Sequence, residues 1–252
     1  MKEKIKQIIQ HKAFHISILV SIVVILLFIL LVVVLRYQEK GETNMPFIIS
    51  KIAVISTSEG IDKENAENKW DFMVDQNNDI YIYIEKNNNY KKTEIIESIV
   101  LNNFSFEKQS DLGEVNVYRP DEKNENVIFK TSEENKVDEI EYIGDVTSEI
   151  KSLKMSNQGD MIPLRIANHN IKEYISDDEE IINHTELLKK LNLSMDDLKI
   201  KAEFDLTINL NSGKSFKTRV SVNLPVENVI DEGTTSTEIT DTNKLIFKRV
   251  RN

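Results

Sequence analysis

The hydrophobic pattern of the chain is dominated by one stretch near its start. Residues 16–35 are twenty consecutive uncharged residues, and only Ser17 and Ser21 interrupt the apolar side chains. A helix of this length rises about 30 Å at roughly 1.5 Å per residue, which matches the hydrocarbon thickness of a bilayer. A buried helix of a globular protein would show a polar face every three or four residues, and this stretch shows none. The pattern predicts a transmembrane helix over residues 16–36.

The residues that flank this helix indicate its orientation. Residues 1–15 carry four lysines against one glutamate and predict a short basic cytoplasmic tail. The apolar stretch is longer than the roughly 7–15 residues of a signal peptide, and no small-residue cleavage pattern follows it, so we predict an uncleaved signal anchor. By the positive-inside rule the N-terminus is cytoplasmic and the C-terminal domain extracellular. The expected protein is a single-pass protein of the cell membrane that contacts the lipid bilayer.

After a polar stalk at residues 37–45, the hydrophobic pattern changes to a period of two. Its clearest example is residues 202–224, where apolar and polar residues alternate on both sides of an Asn-Ser-Gly-Lys turn. This alternation predicts a long antiparallel hairpin with one apolar face. Gln76, Asn77 and Asn78 favour a turn between two further strands. Including these two, the other predicted strands are 47–56, 70–74, 79–85, 94–106, 115–118, 127–130, 139–143, 151–155, 161–167 and 245–247.

The sequence predicts one short helical insert among the strands. Thr185 is a candidate N-cap for a turn that carries Leu187, Leu188 and Leu191. Ser194 and Asp197 have the spacing of a capping box for a second turn. Residues 57–69 and 231–243 are polar and are expected to form loops.

These elements predict a mostly β protein, in which a single N-terminal transmembrane helix precedes an antiparallel β-sandwich. About ten short strands, turn signals every 8–15 residues and little helix are typical of two packed antiparallel sheets. The extracytoplasmic domain is expected to cover residues 46–252. A division into two subdomains near residues 144–150 remains open, although no segment rich in Gly or Pro separates them.

Composition and charge exclude several kinds of chemistry. The chain has no cysteine, which rules out disulfides, thiolate metal sites and a cysteine nucleophile. Residues 1–40 hold six of the 32 basic residues and two of the 42 acidic ones, so residues 41–252 carry a net charge of −14. Such an acidic domain repels phosphate backbones, and we expect no nucleic-acid partner.

No motif in the sequence predicts an enzyme, a cofactor or a metal site. The Gly213-Lys214-Ser215 stretch resembles the end of a phosphate-binding loop, but the first glycine of such a loop is replaced by Ile208. Residues 75–79 begin like a calcium-binding Asp-x-Asn-x-Asp loop, yet the required glycine and bidentate acid are replaced by Ile80 and Lys86. His169 and His184 lack the spacing of zinc ligands. The acidic run at 177–180 remains open as an irregular oxygen site.

Two noncatalytic functions are compatible with these features. The first is a membrane-anchored surface protein that binds or scaffolds another envelope protein. It could also bind a second copy of itself, since Ser17 and Ser21 have the small-xxx-small spacing that lets two membrane helices approach. The alternative is a carbohydrate- or cell-wall-binding module. Its candidate binding face consists of Trp70, Tyr81 and Tyr83, whose rings could stack against sugars.

Overall fold

The computed structural model describes residues 2–63, 70–123, 126–176 and 187–250, and side chains from residue 15 onward. The chain divides into two compact units, Met1–Thr43 and Asn44–Asn252. The predicted N-cap Thr185, His184 and the acidic run 177–180 lie outside the described residues.

The first unit contains one long helix, α1 (Lys2–Lys40). The most apolar 18-residue window within its segment His15–Lys40 has a mean hydropathy of 3.8, and none of this window is buried. The apolar side chains of residues 16–35 are exposed on every side of the helix, including Leu19, Phe28 and Leu30. The Ser21 hydroxyl donates to the Ser17 carbonyl at 2.9 Å, which satisfies the serine within its own helix. The helix is long and apolar enough to span a membrane.

The second unit contains two β-sheets, and most of the chain outside the helix is strand. Sheet A has five strands in the order β10-β1-β2-β7-β4, all antiparallel. Their bounds are β1 (Phe47–Asp62), β2 (Trp70–Lys86), β4 (Glu114–Tyr118), β7 (Met161–Ser176) and β10 (Thr234–Ile239).

Sheet B has six strands in the order β11-β9-β8-β3-β5-β6. Their bounds are β3 (Ile96–Lys108), β5 (Ile140–Asp145), β6 (Lys154–Ser156), β8 (Ile200–Leu210), β9 (Ser215–Asn223) and β11 (Lys248–Val250). The pair β5–β6 is parallel, and the other pairs are antiparallel. Gly144 in β5 allows a close approach, since a Cβ at this position would lie 2.1 Å from the Ile96 carbonyl oxygen.

Each sheet has a core face, which carries buried apolar side chains, and an outer face. The core faces of both sheets contribute to one cluster of buried residues, which includes Ile52, Ile80 and Ile82 from sheet A and Phe204 and Leu206 from sheet B. A hydrogen bond also joins the sheets: the buried Tyr142 hydroxyl of β5 donates to the carbonyl of Pro163 in β7.

A second buried cluster covers the end of sheet A where β1 ends, which we call the far end. Phe72, Val74 and Ile171 contribute from β2 and β7. Three short helices supply most of the rest: α2 (Leu187–Lys190), α3 (Met195–Leu198) and α4 (Val229–Glu232). The Ser194–Asp197 capping box before α3 is confirmed, because the Ser194 N–H and hydroxyl donate to Asp197 Oδ2 at 2.8 and 2.7 Å.

A band of buried polar side chains lies on the core face of sheet A between the two apolar clusters. It consists of Ser56, Gln76, Asn78 and Asn168, none of which is exposed to solvent. The Ser56 hydroxyl donates to the Asn78 amide oxygen, and Asn78 Nδ2 donates to the Ile166 carbonyl at 3.0 Å. Gln76 Oε1 and Asn168 Oδ1 are buried without a hydrogen-bond partner among the described residues.

The prediction of a turn at residues 76–78 was wrong. β2 continues without interruption from Trp70 to Lys86, so 70–74 and 79–85 belong to one strand. Gln76 and Asn78 hold alternate positions on the core face of sheet A. Asn favours turns through hydrogen bonds between its side chain and the nearby backbone, whereas Asn78 hydrogen-bonds to the neighbouring strands instead.

Five other predictions of local structure also differ from the structure. Residues 127–130 are irregular, and 57–62 extend β1 instead of forming a loop. The predicted polar loop 231–243 contains the end of α4 and the strand β10. The last strand begins at Lys248 and not at Leu245. The strand expected at 151–155 is a 3-10 turn followed by the short β6.

Candidate functional site

The outer face of sheet A carries an unusual concentration of polar and charged side chains. In β2 the outer-face positions are Asp75, Asn77, Asp79, Tyr81 and Tyr83, which alternate with the core-face residues. Asp75 and Asn77 are nevertheless buried, with 6% and 4% exposure. A cleft of about 520 Å³ opens above this face, and we call it the outer-face cleft. It is lined by Glu59, Asp79, Tyr81, Arg165 and residues 127–131.

An ion pair forms the floor of the outer-face cleft. The Arg165 Nε and Nη2 atoms donate to the two Asp79 carboxylate oxygens at 2.6 and 2.9 Å, from strand β7 to strand β2. The Phe129 ring covers the guanidinium, with its centroid 5.1 Å from Arg165 Cζ. Both oxygens of Asp79 accept hydrogen bonds from Arg165, so this carboxylate is held in place and is poorly placed to bind a ligand cation.

A second polar group, Asp75–His169–Tyr118, lies beside the cleft. His169 Nδ1 is 2.5 Å from Asp75 Oδ2, and the Tyr118 hydroxyl is 2.8 Å from His169 Nε2. Since the carboxylate accepts, Nδ1 carries a proton and donates it, and Nε2 forms the hydrogen bond with the tyrosine hydroxyl. The Asn170 N–H donates to Asp75 Oδ1 at 2.8 Å, from an irregular segment of β7 in which Asn170 has a φ of 55°.

Glu59 is the most accessible acid of the outer-face cleft. It lies directly opposite Asp75 on the neighbouring strand, a placement that is unfavourable for two like charges. The Asp75 carboxylate is compensated by His169 and Asn170, whereas Glu59 Oε2 accepts a hydrogen bond from Asn77 Nδ2 at 3.0 Å. The exposed Glu59 carboxylate therefore remains able to accept hydrogen bonds from a ligand.

The three aromatic residues predicted as a binding face do not lie together. Tyr81 lines the outer-face cleft, and Tyr83 lies two residues further along the same face, where Lys51 Nζ is 4.5 Å from its ring centroid. Trp70 is eleven residues from Tyr81 in β2, and because side chains alternate along a strand it lies on the opposite face of the sheet. It stacks on Phe72, with ring centroids 5.8 Å apart, and packs against the far-end cluster.

The surroundings of two tyrosines on the outer face of sheet A shift their pKa values. Burial, together with the Asp79 charge, raises the pKa of Tyr81, and burial with nearby acids raises the pKa of Tyr118. Both phenols therefore stay protonated at neutral pH and act as hydrogen-bond donors or acceptors. Among the described residues, no group of three or more acidic or histidine side chains is arranged to hold a metal ion.

Sequence patterns do not reveal the Asp75–His169–Tyr118 group, although Asp75 and His169 each belong to a candidate motif. The two are 94 positions apart, and the strand register that joins them cannot be read from periodicity alone. No protein-family model, curated protein or solved structure matches the chain.

Proposed function

We propose that the protein is a membrane-anchored, noncatalytic binding protein whose β-sandwich associates with another protein of the cell envelope. The observation that carries this proposal is the exposure of an apolar segment long enough to cross a bilayer, joined to a β-rich unit with its own core. An exposed apolar surface of that size is unfavourable in water and favourable in lipid.

The proposed sandwich packs the core faces of sheets A and B against each other. The support for this arrangement is the shared buried cluster, which takes residues from both sheets, and the Tyr142–Pro163 hydrogen bond between them. Antiparallel sheets that bury one face and expose the other commonly pack in this way.

The proposed orientation places residues 1–15 in the cytoplasm and the β-sandwich outside the cell. It is supported by the lysines of the N-terminal segment and by the length of the apolar stretch. The noncatalytic role is supported by the pairing of the polar groups at the outer-face cleft. Asp79 is held by Arg165, and Asp75 and Tyr118 are both engaged by His169.

Chemical crosslinking in intact membranes tests the association with an envelope protein. We expect an amine-reactive crosslinker to convert the 29.1-kDa chain into at least one discrete heavier adduct that survives denaturing purification. The matched control is a chain of residues 1–45 carrying the same affinity tag, which keeps the helix and lacks the β unit. Loss of the adduct from this control supports association through the β unit. An equal adduct from the control, or no discrete adduct from the full chain, would contradict the proposal.

A second candidate function, carbohydrate binding, is favoured by the composition of the outer-face cleft. The Tyr81 ring and the exposed Val127 and Ile128 offer apolar contact, and the Glu59 carboxylate can accept from sugar hydroxyls. A sugar ring binds through this combination of flat apolar contact and directional hydrogen bonds.

Replacing Tyr81 by Ala is expected to reduce retention on purified cell wall about tenfold, equivalent to about 1.4 kcal/mol, because a stacking surface in the cleft is removed. The matched control is Tyr83→Ala, which removes the neighbouring tyrosine that lies outside the cleft. Bound fractions measured over a range of wall concentrations give both affinities. If wild type is not retained, or Tyr81→Ala binds equally well, the carbohydrate function is wrong and protein association remains.

A further inference from the structure

Sheet A has an unpaired edge at β10. This strand pairs with β1 over residues 52–57 and is the last strand of the sheet on that side. Among the described residues, no backbone hydrogen bond reaches β10 from its other side. An edge of this kind can accept an additional strand.

The register of β10 identifies the backbone groups that remain free. The Ser58 N–H donates to the Gly233 carbonyl at 2.9 Å, directly before β10 begins. Residues of an antiparallel strand bond alternately to one side and to the other. Residues 235, 237 and 239 therefore bond towards β1, and Thr234, Ser236 and Glu238 direct their N–H and C=O groups outward.

A groove of about 510 Å³ adjoins this edge, and we call it the edge groove. β10 contributes Thr235, Ser236 and Thr237 to one side. The ends of β3, β8 and β9 and the segments adjoining them contribute the rest, including three buried apolar residues, Ile200, Leu224 and Val226. The groove therefore combines free backbone groups with apolar side chains, which suits an extended peptide whose alternate side chains point inward.

The charges at the edge groove favour a basic ligand. Both lysines of its lining are neutralised, since Lys199 lies 2.6 Å from Asp196 and Lys201 lies 2.9 Å from Glu203. Glu107 also contacts Lys201, at 3.7 Å. Glu227 lines the groove, is exposed and has no ion pair among the described residues. Acidic groups therefore outnumber basic ones locally, as they do across residues 41–252.

We propose that the edge groove binds an extended basic segment of a partner protein, which adds to β10 as a sixth strand of sheet A. This inference rests on the proposed function, because it assigns the association with another protein to the edge groove. The three outward residues of β10 offer three donors and three acceptors, and the inward side chains of the segment contact Ile200, Leu224 and Val226. Pairing with a second copy is disfavoured, because each copy brings an acidic β unit to the contact.

A random library of twelve-residue peptides, displayed on phage and selected on the full-length protein in lipid nanodiscs, tests this proposal. We expect the enriched peptides to carry more Lys and Arg than Asp and Glu, with apolar residues at alternate positions. The strongest binder is then synthesised, and hydrogen–deuterium exchange is followed on the protein. Its addition should slow exchange at residues 234–239 at least tenfold.

Two variants of one β10 residue provide the matched comparison. Ser236→Pro removes an outward N–H and leaves the pairing with β1 intact, as proline is tolerated at such edge positions. Ser236→Pro should lower the affinity for the selected peptide at least tenfold. Ser236→Ala, which keeps the N–H, should change this affinity less than twofold. N-methylation of alternate backbone positions in the peptide gives the same test without altering the protein. One set of positions should abolish binding, and the other set should not.

Each alternative outcome overturns the groove proposal without deciding the proposed function. The proposal is wrong if no peptide is enriched, if the enriched peptides are acidic, or if neither Ser236→Pro nor N-methylation weakens binding. It is also wrong if the protein in nanodiscs is a dimer that Ser236→Pro dissociates, because a second copy then occupies β10. Association with an envelope protein is judged separately by the membrane crosslinking, in which an adduct that persists in Ser236→Pro would leave the proposed function standing.

Discussion

Deletion of residues 1–40 is expected to move the protein from the membrane pellet to the high-speed supernatant. Residues 16–35 expose apolar side chains on all sides of α1. Insertion of about eighteen such side chains into a bilayer is favourable by roughly 5–11 kcal/mol in total, at about 0.3–0.6 kcal/mol for each residue. The full chain should pellet in detergent-free buffer and resist extraction at alkaline pH, whereas the truncated chain should remain soluble.

Two controls separate membrane insertion from aggregation, and a third experiment reports the orientation. Circular dichroism of the truncated chain should show mostly β structure, and detergent should release the full chain from the pellet. Protease added to intact cells should digest the β unit of the full chain. Full-length protein in a detergent-free supernatant would contradict the anchor, and a β unit digested only after lysis would reverse the proposed orientation.

Replacement of Phe204 by Ala is expected to lower the free energy of unfolding of the β unit by about 3–5 kcal/mol. Phe204 lies in β8 near the middle of sheet B and is fully buried in the cluster shared by both sheets. Its ring packs on Phe104, with centroids 5.5 Å apart. The substitution removes the ring and leaves a cavity that a rigid sheet cannot close.

Urea unfolding of the truncated chain, followed by tyrosine and tryptophan fluorescence, measures this loss. The matched control is Thr207→Ala, in the same strand but on its outer face, which should change stability by less than about 1 kcal/mol. Equal effects of the two substitutions would contradict the assignment of Phe204 to a common core.

The elements that the sequence predicted well are those whose two faces differ most in polarity. The hairpin β8–β9 has buried apolar residues at alternate positions and a turn with Gly213 at a φ of 74°, so pattern and turn chemistry agree. α1 was equally clear, because no other segment of the chain has its uniform apolar character. The capping box at Ser194 gave the position of a helical turn only four residues long.

The elements that were missed depend on tertiary contacts. β10 has the sequence Thr-Thr-Ser-Thr-Glu-Ile and is held as an edge strand by its backbone pairing with β1, so it shows no apolar alternation to detect. β2 contains three amide side chains in succession, and their burial becomes understandable only when the partners on β1 and β7 are known. The outer-face cleft arises from residues more than 80 positions apart, such as Asp79 and Arg165.

The buried polar band of Ser56, Gln76, Asn78 and Asn168 has a consequence for how the β unit opens. It separates the large apolar cluster from the smaller one at the far end, so the two do not form one continuous hydrophobic layer. Proteins open in cooperative blocks that follow such contiguous packing. The three short helices can therefore detach together with the ends of β2 and β7, as a subglobal unit of lower stability, while the amides of the larger block keep their protection against exchange.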